Sequence, residues 1–409
     1  MTNNMLEDLI YLDYNATTPA APEVVEAMQP YWRGIYGNPS SSHLQGRLAH
    51  QAIERAREQV ASLLGVDASW VIFTGGATEA NNMALIGAAR RLPVGLRHIV
   101  ISAVEHPAIM EPARMLEREG FTLSIAPVDE MGCLKLDAFE ALLLQDTGLV
   151  SVMHANNETG SIQPIEEISR LTKARGIILH TDAAQSVGKI PVSMTDLGVD
   201  MLTLAGHKFY APKGVGALVR DPTIDLSPMD YGAGHEGGLR PGTENLPLIV
   251  ALGEAARLAE AQLSHRMERM RSLRDRLHEQ LLAAMPGLML NGHPLRRLPN
   301  TLNVSLPNTN ARRVLDSLKD TVAASAGSAC HSDRDEVSGV LGAMGIDAEQ
   351  ASGAIRFSVG VETQNHDIDR AGVAIINAYK AFCALGNPLD GRLSRSACVQ
   401  ARAAGTVKT

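Results

Sequence analysis

The stretch LAGHKFYAPKGVG, residues 204–216, sets His207 beside Lys208 where an apolar run gives way to glycine-rich turn chemistry. The residues leading into it read as a strand at its carboxyl end, where a lysine is ordinarily a solvated surface residue. Its meaning depends on what stands at the ends of the neighbouring strands. From about residue 70 the chain alternates short apolar, β-branched runs with amphipathic helical stretches. The strand candidates are WVIFTGG, HIVISAVEH, GLVSVMHANNETG, GIILHTDAAQ, MLTLAGHK and GVGALVR. Parallel strands are buried on both faces and need crossover helices, so the alternation predicts a doubly wound, mostly parallel α/β domain. Several runs end in polar clusters: GGATEANN, EH, HANNETG, DAAQ and GHK. Ligands in open α/β sheets sit at the carboxyl ends of strands, so these clusters are expected to converge on one crevice.

The chain has 409 residues, room for a large domain and a smaller one, each with its own core. After Pro247 a helical stretch over about 248–285 leads out of the sheet region, and LPNTLNVSL and AIRFSVGVET with a final helix read as a smaller α+β unit. Residues 391–409 show no periodicity and read as a flexible tail. A composition 45% hydrophobic and 20% charged is that of an ordinary globular protein. A net charge of −8 gives no reason to expect nucleic acid or a membrane surface as partner. The apolar runs are strand-sized, and MTNNMLEDLIYLDYN lacks the features of a signal peptide, so a cytoplasmic location is expected. Cys133, Cys330, Cys383 and Cys398 form no CxxC pair, which speaks against a disulfide framework, structural zinc or any other metal site.

Three signals share one chemistry. Residues 75–79, GGATE, follow a strand and open a helix, so the free backbone N–H groups around Ala77 and the Thr78 hydroxyl make a phosphate cradle. Asp182 stands just past an apolar strand, where a carboxylate needs a cationic partner or serves as a helix N-cap. Lys208 stands at the end of the next strand. A carboxylate that keeps a pyridine nitrogen protonated, an amine that can form an imine and a phosphate cradle are the parts that pyridoxal phosphate requires. No GxGxxG or Walker loop is present, which counts against a nicotinamide dehydrogenase or nucleotide enzyme.

The motifs YLDYNATTP, YGNPSSSH, GGATEANN, EHPAI, HANNETG, HTDAAQSVGK, GHKFYAPKG, RPGTEN, SAGSACHS and AIRFSVG cover nearly the whole chain. In them the chain resembles the cysteine desulfurase group, the NifS/IscS-like proteins among the class V aminotransferases. The resemblance implies the fold-type I architecture of pyridoxal-phosphate-dependent transferases. It places a large cofactor-binding α/β domain over 17–260 and a small α+β domain, from 1–16 and 261–390, that carries the catalytic-cysteine loop. It implies that Lys208 holds the cofactor's aldehyde, Asp182 pairs with the ring nitrogen and His106 stacks on the ring. Gln185 and Asn157 would reach the ring oxygen and neighbouring groups, and Thr78 and His207 the phosphate. Thr243 would reach the phosphate of the other subunit, which implies a homodimer. Asn38 and Arg356 would bind the substrate carboxylate, a task for which the planar guanidinium fork is suited. Where these desulfurases usually carry a serine, two residues before the histidine, this chain has Ala205. That feature is similar to the selenocysteine lyase branch.

Cys330 lies among small residues in ASAGSACHSD, the setting of an exposed, mobile thiol, with His331 beside it. The resemblance makes it the nucleophile that takes sulfur from L-cysteine as a persulfide, releases L-alanine and delivers the sulfur to an acceptor protein. Lys208 would move the Cα proton, and His106 would serve as an acid–base group. His154 reads as a satisfied core histidine, and Cys133 and Cys383 as structural residues. Two alternatives stand beside this reading: a selenocysteine lyase, and a cofactor-binding regulatory protein with little turnover. The destination of the sulfur, whether iron–sulfur cluster assembly, tRNA thiolation or DNA modification, is not written in the residues.

Overall fold

The computed structural model describes residues 8–326 and 338–384. Twelve strands run in chain order as β1 Ile10–Tyr11, β2 Val71–Thr74, β3 His98–Ser102, β4 Thr122–Ala126, β5 Thr147–Ser151, β6 Ile178–Asp182, β7 Met201–Ala205, β8 Gly216–Arg220, β9 Met289–Leu290, β10 Thr301–Ser305, β11 Val322–Ala323 and β12 Ala354–Ser358. The helices that matter below are α1 Leu44–Leu64, α2 Ala77–Asn82, α3 Pro107–Arg118, α4 Leu246–Ala284 and α5 Asn365–Ala384.

Seven strands form the main sheet in the order β2-β8-β7-β6-β5-β3-β4, parallel except for β8, which runs against both its neighbours. Side chains alternate between faces with period two, and both faces are buried. Val71, Phe73, Val100, Leu202, Leu204, Ala217 and Val219 enter one core. Ile72, Ile99, Ile101, Met201 and Leu218 enter the other. All six strand candidates of the sequence are strands here. The seventh, β4, carries no such signal because, unlike the buried edge strand β2, it is an exposed edge: Thr122 and Ile125 are exposed and Leu123 and Ser124 half-buried, so its pattern is neither a buried run nor a clean alternation.

A separate core gathers Ile10 and Leu12 from the start of the chain with Met270, Leu273, Leu277, Leu302, Val304, Ile355, Phe357, Ile368 and Ile375. It packs α4 and α5 against the antiparallel sheet β12-β10-β9, while β1 pairs in parallel with β11. The 39-residue α4 joins the two bodies. At 1.5 Å per residue it is about 58 Å long, enough to serve both cores. Its first half buries Leu246, Ile249, Leu252 and Ala259 in the large core, packing chiefly on α1, and its second half buries Met270, Leu273, Leu277 and Leu281 in the smaller core. Among the described residues no helix is long and apolar enough to cross a membrane.

Candidate active site

Successive parallel strands of the main sheet end at one cavity of about 1300 Å³. β6 delivers Asp182, 6% exposed, whose two oxygens accept hydrogen bonds from the Ala184 N–H at 2.9 Å and from Asn81 Nδ2 at 2.7 Å. β7, paired with β6, ends at Ala205, and a single 3₁₀ turn, Gly206–Lys208, swings Lys208 into the same space. Lys208 Nζ donates to the carbonyls of Asn15 at 2.7 Å and Ala16 at 2.8 Å. The turn is tight enough to leave Tyr210 at φ 77°, a region that side chains avoid. Tyr210 is held there by its N–H on Thr18 Oγ1 and by its hydroxyl, which accepts the Val361 N–H.

His106 follows β3 and caps α3. Its Nδ1 accepts the Ala108 N–H at 3.1 Å, so the neutral ring carries its proton on Nε2. Burial, reinforced by the charge of Lys208 and opposed by that of Asp182, lowers its pKa below the usual histidine range. Its neighbour Glu105 is buried in the same wall. Glu105 Oε1 accepts from Ser102 Oγ at 2.5 Å and from the Met153 N–H at 2.8 Å, while Oε2 has no partner among the described residues. Burial pushes the Glu105 carboxyl up to about 8, against the pull of those two bonds and with some help from the charge of Asp182.

The phosphate-sized end of the cavity lies between β2 and α2. Gly75, Gly76, Ala77 and Thr78 line it together with His207 and Lys213. Gly76 has φ 150°, which L side chains rarely adopt, and a Cβ there would project into open space. A Cβ on Gly216 would stand 2.9 Å from the Gly76 backbone, so a glycine in β8 lets the turn close in. Burial, then the charges of Lys208, Lys213 and Lys189, bring His207 down to about 4, so its ring is neutral, with Nδ1 3.2 Å from Thr17 Oγ1.

The remaining wall comes from the start of the chain and the smaller core. Arg356 of β12 is 2% exposed. It donates from Nη1 to the Asn157 carbonyl at 3.0 Å and from Nη2 to Asp13 Oδ1 at 2.7 Å and Ser325 Oγ at 3.1 Å, while Nε has no acceptor among the described residues. Asn15 is the hub. Its backbone carbonyl takes Lys208 and Gln185, its Oδ1 takes Lys189 and Asn300, and its Nδ2 donates to Thr301 Oγ1 and the Asn157 carbonyl.

Of the residues singled out in the sequence, Ala77, Thr78, His106, Asn157, Asp182, Gln185, His207, Lys208 and Arg356 line the one cavity. Asn38 and Thr243 do not. Both are exposed, and Asn38 Oδ1 is engaged in a local turn with the Ser40 N–H. Cys330 and the tail, with Cys398, lie outside the described residues. His154 is a core residue, bonded to Ser186 Oγ and brought down to about 4 by burial. Cys133 is buried and Cys383 exposed. Asp13, Asn15, Asn81, Glu105 and Lys189 were not singled out from the sequence. All five lie inside the motifs named above, but Asn15's partners, and Lys189's partner Asn15, are remote in the chain.

These residues fit pyridoxal phosphate. A buried carboxylate and a lysine stand at the ends of paired strands, and the glycine turn leaves room where a side chain would fill the phosphate position. Residues 10–371 match the family model of the class V aminotransferases. A cysteine desulfurase of Trichormus azollae is 46% identical over 363 residues, covering 88% of this chain and 90% of that one. The solved structure of a NifS-like protein superposes with a TM-score of 0.85 at 36% identity, covering 91% of this chain and 99% of its own. That of SspA in complex with cysteine gives 0.77 at 34% identity, covering 86% and 98%. The selenium reading is not favoured by these relatives. With this geometry and these matches, the chain belongs to the class V aminotransferases and, within them, to the pyridoxal-phosphate-dependent cysteine desulfurases.

Proposed function

We propose that the protein works as a homodimer in the cytoplasm, removes sulfur from L-cysteine with release of L-alanine, and holds that sulfur on Cys330 for an acceptor protein. The observation that carries the reading is the arrival of Asp182 and Lys208, from adjacent paired strands, at the cavity that Arg356 also lines. L-cysteine as substrate accords with the relatives' name and with the cysteine bound to SspA. Pyridoxal phosphate, when bound, supplies an aldehyde that condenses with amines and a ring that draws electrons from the substrate's Cα. Asp182, held as an acceptor by Asn81 and the Ala184 N–H, would keep the ring nitrogen protonated. Ala77 and Thr78 with His207 would hold the phosphate, Gln185 and Asn157 the ring oxygen side, and Arg356 the substrate carboxylate. Lys208 Nζ would move the Cα proton, and the Asn15 and Ala16 carbonyls, at 2.7 Å and 2.8 Å, hold it in the cavity. His106 would stack on the ring and donate from Nε2, since Nδ1 is taken by the Ala108 N–H. Cys330 thiolate attacks the substrate sulfur: an S–S bond forms, the Cβ–S bond breaks, and its electron pair stays on carbon, which takes a proton to become the alanine methyl group.

A dimer is supported by Thr243, exposed and outside its own protomer's cavity, and by the exposed rings of Trp32, Tyr36 and Tyr231, at 58%, 69% and 86%. The test measures visible absorption, alanine and transferred sulfur in two variants. Lys208→Ala loses the visible band and alanine production. Cys330→Ala keeps the band and loses sulfur transfer to an acceptor thiol. Full cysteine turnover by Lys208→Ala would overturn the reading.

A further inference from the structure

Lys189 is a second buried amine beside the site, and the mechanism above gives it no task. It is 4% exposed, in the turn after β6, four residues beyond Gln185. Among the described residues it faces no carboxylate. Nζ lies 2.7 Å from Gln185 Oε1 and 3.0 Å from Asn15 Oδ1. Burial, with the charges of Lys208 and Arg356, holds it well below the usual lysine range.

The partners determine which way the amides turn. Gln185 meets the backbone carbonyl of Asn15 at 3.0 Å, and a carbonyl only accepts, so the NH2 end of Gln185 is on that side. Its oxygen therefore meets Lys189, which donates to it. Asn15 obeys the same logic: its NH2 end faces the Asn157 carbonyl, and its oxygen faces Lys189 and Asn300. The assignment holds whether Lys189 is an ammonium or an amine, because an amine still has two hydrogens for two acceptors. Gln185 lines the cavity, and one hydrogen of its NH2 group is not used by Asn15.

We propose that Lys189 is a positioning residue: it holds the oxygen of Gln185 and so presents the amide's remaining N–H to an acceptor on the bound pyridoxal ring. The inference rests on the reading of this cavity as the cofactor site, with Gln185 at the ring oxygen.

A double-mutant cycle tests it on the whole protein, stripped of cofactor and titrated with pyridoxal 5′-phosphate. Lys189→Met replaces a buried amine by an apolar chain of similar length, and Gln185→Leu removes the amide. Each single variant is expected to weaken cofactor binding by about tenfold, the cost of one unmade buried hydrogen bond. The double variant binds like Gln185→Leu, within about twofold, because without the amide Lys189 no longer reaches the ring through Gln185. The pH midpoint of the bound cofactor's visible band moves in Lys189→Met and is unmoved by the same change in the Gln185→Leu background. An equal factor in both backgrounds, or wild-type affinity in Lys189→Met, overturns the proposal. Wild-type affinity in Gln185→Leu instead overturns the assignment of Gln185 to the ring, and the inference with it. The same cycle with Lys189→Gln, which keeps a donor, gives a smaller coupling of the same sign and serves if the Met variant does not fold.

Discussion

The two sides of the cavity are built on different principles. On the sheet side, Asp182, Lys208, His106 and the glycine turn each stand at the end of a strand, and the period-two burial of that strand fixes where the side chain emerges. On the other side, Asp13, Asn15, Ser325 and Arg356 come from the start of the chain and the smaller core; hydrogen bonds spanning up to 343 residues tie Asp13, Ser325 and Arg356 to one another, and Asn15 to Ser358. The sheet side therefore supplies charged groups whose chemistry is local. The far side supplies amides, carbonyls and one guanidinium whose orientation exists only when both cores are assembled. The sheet side can carry the cofactor, while the far side holds the lysine.

That contrast predicts where a substitution damages the assembly and where it only retunes the chemistry. At neutral pH Arg356→Met has the largest effect. It leaves Asp13 beside an apolar chain and breaks a largely buried pair, at a cost of about 3–5 kcal/mol in urea unfolding. The KM for cysteine rises with it, and Arg356→Lys, lacking the fork, recovers little of the loss. A melting point and KM unchanged in Arg356→Met would mean that the far side is not held as described.

Glu105 tests the sheet side. Its folded pKa, about 8, lies above the carboxylate value of an unfolded chain. Between about pH 4 and pH 8 the native state holds a proton that the unfolded state has released, so stability falls as pH rises through that window. The loss is of the order of 5 kcal/mol by pH 9. Glu105→Gln removes that slope and is relatively more stable at alkaline pH, as thermal melts from pH 5 to 9 would reveal. An unchanged slope would show that Glu105 is already ionised at neutral pH.

The smallest effect is a gain. Ala205 lines the cavity beside the phosphate end, and Ala205→Ser adds one hydroxyl there. One further hydrogen bond of about 1 kcal/mol tightens cofactor affinity roughly fivefold. A weakened affinity would show that the wall at Ala205 is too closely packed to admit an oxygen.

The same contrast explains what was legible beforehand. Six strands of the main sheet were readable because a strand buried on both faces is a continuous apolar run with polar punctuation. The edge strand β4 was not, since exposure erases that pattern. Lys208 and Asp182 were readable as a pair because consecutive strands of a parallel sheet deliver their ends to one side. Asn15 and Lys189 were not, because an asparagine or lysine in a motif carries no mark of which remote carbonyl or amide it meets.

Sequence alone determined the sheet, the strand-end chemistry and the family, all of which follow from patterns repeated within a few residues. Only the tertiary structure decided that Asn15 ties Lys208, Gln185 and Lys189 into one network, that Glu105 is a buried acid, and that Arg356 is shared with Asp13. The physical reason is that burial and hydrogen-bond direction belong to an environment rather than to a residue: a carboxyl or an amide takes its charge state or its orientation from groups that folding brings to it.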